Sequence, residues 1–265
     1  VRVLRTFKLQ IAYDGTDYAG WQIQPNQPTI QSQLEKALRQ LTGQRLAVVG
    51  SGRTDSGVHA IAQVGSLTTD TWRAPADALM RAMNTKLPAD IAITGAWEMP
   101  LNFHAIRDAV GKRYRYQWQL GGVRDAFEYR YRLHVQGAVD VEAMRAAAKK
   151  FVGKHDFASF QATGSVRKTT VRDVRAVDII DDGPLRGRAG GQAWAIEIEA
   201  DGFLYNMVRN IVGTLLEVGR GKQSPEWIEH LLAVGDRDQA GPTAPPQGLF
   251  LARVDYDVQP LGEES

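Results

Sequence analysis

Polar and apolar residues alternate near the start of the chain, from Thr6 through Phe7, Lys8, Leu9, Gln10, Ile11 and Ala12 to Tyr13, and this period of two predicts a strand with one covered face. Asp14-Gly15 then marks a turn, and a loop rich in Gly, Asn and Pro runs to Pro28. The period changes after Thr29, a good N-cap: Ile30, Leu34, Ala37, Leu38 and Leu41 trace one helical stripe that stops at Gly43. Residues 46–50 and 61–67 read as short strands around a Gly-rich loop. A helix with Pro75 in its first turn runs to about Met83, and a strand follows from Ile91 to Trp97. The order is β-α-β-β-α-β.

The second half repeats the succession. It has a strand at 112–120, a helix from the N-cap Asp140 to Phe151 before Gly153, and strands at 170–180 and 192–200. A helix from about Leu204 to Val218 ends at Gly219, Ser224-Pro225 opens a shorter one, and Gly248 to Tyr256 is a last strand. Two such halves predict an α+β fold of two β-α-β-β-α-β units with antiparallel or mixed sheets, ferredoxin-like or RRM-like in succession. The expected domains are 1–102 and 103–265. No Pro- or Ser-rich linker divides them, so the two sheets are expected to join, with a cleft between the units as the place for a ligand.

Composition narrows the chemistry. The 265 residues include no cysteine, which removes disulfides, thiolate metal sites and a thiol nucleophile. No apolar run approaches the roughly 20 residues that span a bilayer, and no signal-peptide pattern precedes the first strand, so the cytoplasm is the expected compartment. The net charge of +2 hides a lopsided distribution: residues 101–190 hold 17 Lys and Arg against 10 Asp and Glu, whereas residues 191–265 hold 5 against 12. Within the basic third, Lys112-Arg113-Tyr114-Arg115-Tyr116-Gln117-Trp118 interleaves cations with aromatics, which suits either a partner with phosphates and stackable bases or a solvated strand face.

The segment Gly52-Arg53-Thr54-Asp55-Ser56-Gly57-Val58-His59-Ala60 places a carboxylate on a tight loop between two strands. Nearby glycines at 50, 52 and 57 permit close backbone approach. On its own residues the loop supports two readings: Asp55 braces the turn through an Asx hydrogen bond, or it is presented to a ligand.

This segment resembles the active-site loop of the tRNA pseudouridine synthase A family, which modifies the anticodon stem-loop of tRNA. Four other stretches resemble the same family in the same order. They are Tyr13 to Gln22, Phe103-His104-Ala105 leading to Lys112–Tyr116, Gly202 to Gly213, and Thr243 to Leu249, so the likeness runs from about Lys8 to Tyr256. The resemblance implies a pseudouridine synthase fold with a central basic cleft, usually a homodimer, and an isomerase that converts uridine to pseudouridine at tRNA positions 38, 39 and 40. It places the catalytic aspartate at Asp55, the base-stacking tyrosine at Tyr114, the arginine that pairs with the aspartate at Arg209, and an arginine linked to base flipping at Arg53. Ala109-Val110-Gly111 and the Gly- and Arg-rich stretch 183–191 depart from the family pattern without touching these positions.

The chemistry suits these residue types. The reaction breaks a glycosidic C–N bond, rotates the uracil and forms a C–C bond through C5, with no redox change, so no cofactor is expected. It needs a carboxylate that stays ionised in a dry pocket to attack carbon or take a ribose proton. Burial raises an Asp pKa, and a guanidinium such as that of Arg209 offsets it and can hold both oxygens. The base must be flipped out, for which Tyr114 offers a stacking surface. Tyr116 lies on the same strand face and suits the core, although the spacing alone does not separate the two. The five histidines lack metal-binding spacing, so His59 and His104 are expected to be structural hydrogen-bonders and a catalytic metal is not expected. Phosphate contacts are expected from Lys112, Arg113, Arg115, Arg167, Lys168 and Arg172. Two other classes compete: a non-catalytic RNA-binding module, against which the Asp55 loop stands unexplained, and a nucleosidase using Asp14 or Asp17 as its second carboxylate.

Overall fold

The computed structural model describes residues 3–162, 169–185 and 190–262. In chain order its elements are β1 (Arg5–Tyr13), α1 (Ile30–Thr42), β2 (Val49–Gly50), β3 (His59–Thr69), α2 (Ala76–Asn84), β4 (Ile91–Met99), β5 (Ala109–Leu120) and β6 (Leu133–Val135). There follow α3 (Val141–Ala148), β7 (Gly153–Asp156), β8 (Val171–Pro184), β9 (Gln192–Ala200), α4 (Met207–Gly219), α5 (Trp227–Val234) and β10 (Leu249–Tyr256). The fold class is α+β, with parallel and antiparallel strand pairs. The chain divides into two units, Val1–Val110 with Phe250–Ser265, and Gly111–Leu249.

In the first unit β1 lies between β4 and β3, antiparallel to both, while β3 also takes β2 antiparallel and β10 parallel. The alternation seen in the sequence is realised as burial: Phe7, Leu9, Ile11 and Tyr13 are covered on one face of β1. Helix α1 starts where expected because Thr29 and Ser32 exchange hydrogen bonds, the Thr29 Oγ1 accepting from the Ser32 N–H and the Ser32 Oγ accepting from the Thr29 N–H. Ile30, Leu34, Ala37 and Leu38 form its buried stripe, and Leu41, the last predicted member, is half-buried. Helix α2 buries Leu79 and Met83, and the Asn84 side chain closes it onto β4 by donating to the Ile93 carbonyl and accepting the Ile93 N–H, both at 2.8 Å.

In the second unit β9 runs between β5 and β8, with β7 beyond β8, all antiparallel, and β6 pairs parallel with β5. The register sets Tyr114 opposite Ile198, Tyr116 opposite Ile196 and Trp118 opposite Trp194. These residues share one face, and Tyr116, Trp118, Ile196 and Ile198 are fully covered there. The odd-numbered residues occupy the other face, where Arg113 and Arg115 meet Glu197, Glu199 and Asp182. Helix α4 is covered almost all round: each of its residues except Arg209 and Glu217 is buried. It begins at Met207 rather than near Leu204 because Asn206 adopts a left-handed conformation with φ 59°, which a continuing helix excludes. Among the described residues no helix is long and apolar enough to cross a membrane.

Candidate active site

The loop carrying Asp55 is fastened to the end of β1 and the segment after it through Thr54 and Ser56, and is closed on itself by a turn. The Trp21 N–H donates to the Thr54 carbonyl (3.0 Å), the Val58 N–H to the Asp55 carbonyl (3.1 Å) and the Ser56 hydroxyl to the Tyr18 carbonyl (3.1 Å). Beneath it, the Tyr13 hydroxyl shares a buried hydrogen bond of 2.8 Å with Thr54 Oγ1. Gln63 is a fully buried amide flanked by Ala62 and Val64 on β3, and the loop explains it: its Nε2 donates to the Gly52 carbonyl (2.9 Å) while its Oε1 accepts from Ser51 Oγ (2.7 Å). A buried amide with donor and acceptor both used costs little and specifies one loop position.

Close approach fixes the remaining side. Gly20 has φ 92°, and a Cβ there would fall 2.5 Å from the Thr54 carbonyl oxygen and 3.1 Å from the Asp55 carbonyl carbon. Only a residue without a side chain lets the two backbones touch at this point. His59 is fully buried and stacks on Phe250, with Nδ1 accepting the Gly15 N–H at 3.0 Å and lying 3.1 Å from Asp14 Oδ1. His104 likewise accepts backbone N–H groups from Ile106 and Arg107, so both histidines are hydrogen-bonders. Asp14 Oδ1 also accepts the Thr16 N–H and hydroxyl, a turn-bracing role. Burial pushes the Tyr13 phenol up to about 12, against smaller opposing contributions from its hydrogen bonds to Thr54 and Gln63. Within this braced loop Asp55 is half-buried and Arg53 exposed.

The other two predicted residues belong to the second unit. Tyr114 is buried on β5 and held edge-to-face by Phe203, with ring centroids 4.9 Å apart and planes at 81°. Arg209 projects from the first turn of α4, where its Nε donates to the Ala244 carbonyl (2.7 Å) and its Nη1 to Asn206 Oδ1 (3.0 Å). The segment 241–248 that supplies Ala244 passes against α4 so closely that a Cβ on Gly213 would lie 1.7 Å from the Pro242 carbonyl oxygen. Tyr116 is a core residue whose hydroxyl donates to the Pro245 carbonyl at 2.9 Å. Burial drives its phenol well above the ordinary tyrosine range, opposed by the nearby Arg209 charge.

Two of the expected phosphate contacts are committed elsewhere. Arg113 reaches Glu199 at 2.6 Å and Glu197 at 3.2 Å, and Arg115 reaches Glu197 at 2.7 Å and Asp182 at 2.5 Å, so both guanidinium groups are neutralised within the sheet face. Arg172 donates to the Thr169 and Val171 carbonyls. Arg167 and Lys168 lie outside the described residues. Tyr13 and Gln63 brace the Asp55 loop, Phe203 holds the Tyr114 ring, and Asn210 binds Phe160, Arg237 and Thr243 beside Arg209; none of these four is among the site residues expected from the sequence. The signal available for Gln63 and Asn210 was a polar amide within an apolar run.

Residues 10–107 and 147–257 match the family model described as tRNA pseudouridine synthase. A tRNA pseudouridine synthase A from Geobacter sp. (strain M21) is 46% identical over 254 residues, covering 96% of this chain and 99% of that protein. The tRNA pseudouridine synthase A 2 of Clostridium perfringens is 45% identical over 253 residues, covering 96% of this chain and all of its own length. Identity of this extent spans the Asp55 loop, the Tyr114 strand and the Arg209 helix alike, and the chain belongs to the tRNA pseudouridine synthase family.

Proposed function

We propose that this protein converts uridine to pseudouridine in the anticodon stem-loop of tRNA, at positions 38, 39 and 40, with Asp55 as its essential carboxylate. The observation that carries the reading is the Asp55 loop: a half-buried carboxylate on a backbone locked by Tyr13, Trp21, Gly20 and Gln63, in a chain of this family. Such rigidity serves a reacting group, because small errors of aim cost large factors in rate.

The roles follow from the chemistry. Flipping the target nucleotide out of its stem costs a few kcal/mol, and Arg53 assists that step, a role its exposure on the Asp55 loop supports. Tyr114 stacks on the flipped base, which contributes about 1–3 kcal/mol, and the Phe203 contact orients its ring before the base arrives. Asp55 attacks carbon or removes a ribose proton while the glycosidic bond breaks. Arg209 pairs with Asp55, keeps it ionised and aims it, its own guanidinium being held by Ala244 and Asn206. The uracil turns, C5 bonds to the ribose carbon, C5 loses its proton and N1 gains one, so product and substrate have equal mass. The same reading makes the protein a cytoplasmic homodimer of two ferredoxin-like units around a basic cleft.

The test is incubation with unmodified tRNA followed by digestion to nucleosides and mass analysis. Pseudouridine of unchanged mass at positions 38 to 40 is expected. Free uracil would make the protein a nucleosidase, and tRNA bound but unaltered would make it a binding module.

A further inference from the structure

We propose that Asn210, Arg237 and Thr243 are positioning residues for the Arg209 guanidinium, acting through the strap of residues 241–245. The inference rests on the reading that Arg209 serves the Asp55 carboxylate. Residue 244 is tied to residue 209 twice: the Ala244 N–H donates to the Arg209 carbonyl (3.1 Å) and the Ala244 carbonyl accepts from Arg209 Nε (2.7 Å). Wherever the strap goes, one edge of the guanidinium goes with it.

A polar cluster built on the buried Asn210, with Arg237 and Thr243 half-buried, holds the strap. Arg237 donates from Nη1 to the Gly241 carbonyl (2.8 Å) and from Nη2 to both Asn210 Oδ1 and Thr243 Oγ1, each at 3.1 Å. Thr243 Oγ1 donates in turn to Asn210 Oδ1 (2.7 Å), closing a triangle of three side chains. Asn210 is fully buried, and its Nδ2 donates to the Phe160 carbonyl at 2.8 Å. Thr214, also fully buried, anchors the strap's start by accepting the Gly241 N–H at 3.0 Å. Beyond Ala244 the Tyr116 hydroxyl fixes Pro245.

Asn210 immediately follows Arg209 on α4, so its side chain leaves the helix about 100° further round. One turn of helix therefore contributes both the working cation and the amide that anchors the cation's holder. The acceptors that Arg237 uses are neutral, which makes these charge-assisted bonds rather than an ion pair, and a cluster of this kind loses its definition when one member is removed. The Arg237 cluster touches neither Asp55 nor the Tyr114 ring in any of these bonds. Its influence on the reaction runs through Arg209.

The experiment compares Thr243→Val, which keeps shape and removes the hydroxyl, with Thr243→Ser, which keeps the hydroxyl, each alone and with Arg209→Lys. Single-turnover rates on unmodified tRNA, tRNA dissociation constants and melting temperatures are measured for all. Thr243→Val is expected to slow single turnover about tenfold or more with tRNA binding within a few fold, whereas Thr243→Ser stays near wild type. In the Arg209→Lys background Thr243→Val should add nothing, because the group it positions is gone. Should Arg209→Lys alone run at the wild-type rate, the reading of Arg209 falls and this inference with it. If Arg209→Lys is slow but Thr243→Val is at wild type, or the two losses multiply, Arg209 keeps its role and the positioning claim is overturned. Should Thr243→Val melt too low to assay, Arg237→Gln carries the same test with the Thr243–Asn210 bond left in place.

Discussion

Replacing Tyr13 by Phe deletes one oxygen beneath the Asp55 loop and leaves the ring packing intact. Tyr13 is 5% exposed and Thr54 6% exposed, so the 2.8 Å bond between them is shielded from water. Its net worth is about 0.5–1.5 kcal/mol, with the Thr54 hydroxyl left to find another acceptor. At about 2–4 °C per kcal/mol for a chain of this size, the melting temperature should fall by a few degrees at neutral pH. A second effect appears in alkali. The folded-state value of about 12 lies above the free value of 10.0, so Tyr13 contributes stability that is complete below about pH 10 and is lost as the pH climbs through 12. That loss amounts to about 3 kcal/mol at most, and the Phe variant has no group there to titrate. Burial also raises the phenols of Tyr18, Tyr116 and Tyr256, but both proteins share those, so the difference between the two stability curves isolates Tyr13. Denaturant melts of both proteins from about pH 7 to about pH 12, with single-turnover rates at neutral pH, provide the assay. Equal melting at neutral pH, parallel curves in alkali and an unchanged rate would refute the claim that this hydroxyl braces the Asp55 loop.

Two further outcomes follow from the packing and the charges. Gly213→Ala drives a methyl group into the Pro242 carbonyl, so a loss of about 3 kcal/mol or a failure to fold is expected, and a wild-type melting temperature would contradict the close approach of the strap to α4. Arg113→Ala with Arg115→Ala should leave the salt dependence of tRNA binding unchanged, because both guanidinium groups are already neutralised by Glu197, Glu199 and Asp182. A slope of log affinity against log salt reduced by about one or more would show that they contact phosphate after all.

Much of the fold was legible because local signals agreed. The Thr29 cap, the stripe on α1 and the Gly43 stop gave that helix its observed limits, and the alternation in β1 and β9 gave their buried faces. Short pieces were not legible: β6 and β7 have three and four residues, too few for a period to register. The start of α4 was missed by a few residues because a left-handed Asn206 leaves no mark in an apolar pattern. Nor do the residues of β10 reveal that it pairs with β3, since a strand's partner depends on the path of the whole chain. The Asp55 loop stood out through its glycines, and the family likeness supplied the roles proposed for Tyr114 and Arg209. What surrounds them was invisible. A cation in a basic run reads as a phosphate ligand until its cross-strand partners are known, as Arg113 and Arg115 illustrate, and a buried amide such as Gln63 or Asn210 reads as an oddity until its partners appear.

The central claim is that the carboxylate of Asp55 performs the reaction and contributes little to holding the tRNA. Its most direct test is Asp55→Ala in a single-turnover assay on unmodified tRNA, with binding measured in parallel. Abolished pseudouridine formation with affinity within a few fold of wild type is the predicted result, because phosphate contacts dominate affinity. Full pseudouridine formation by the Ala variant would contradict the account.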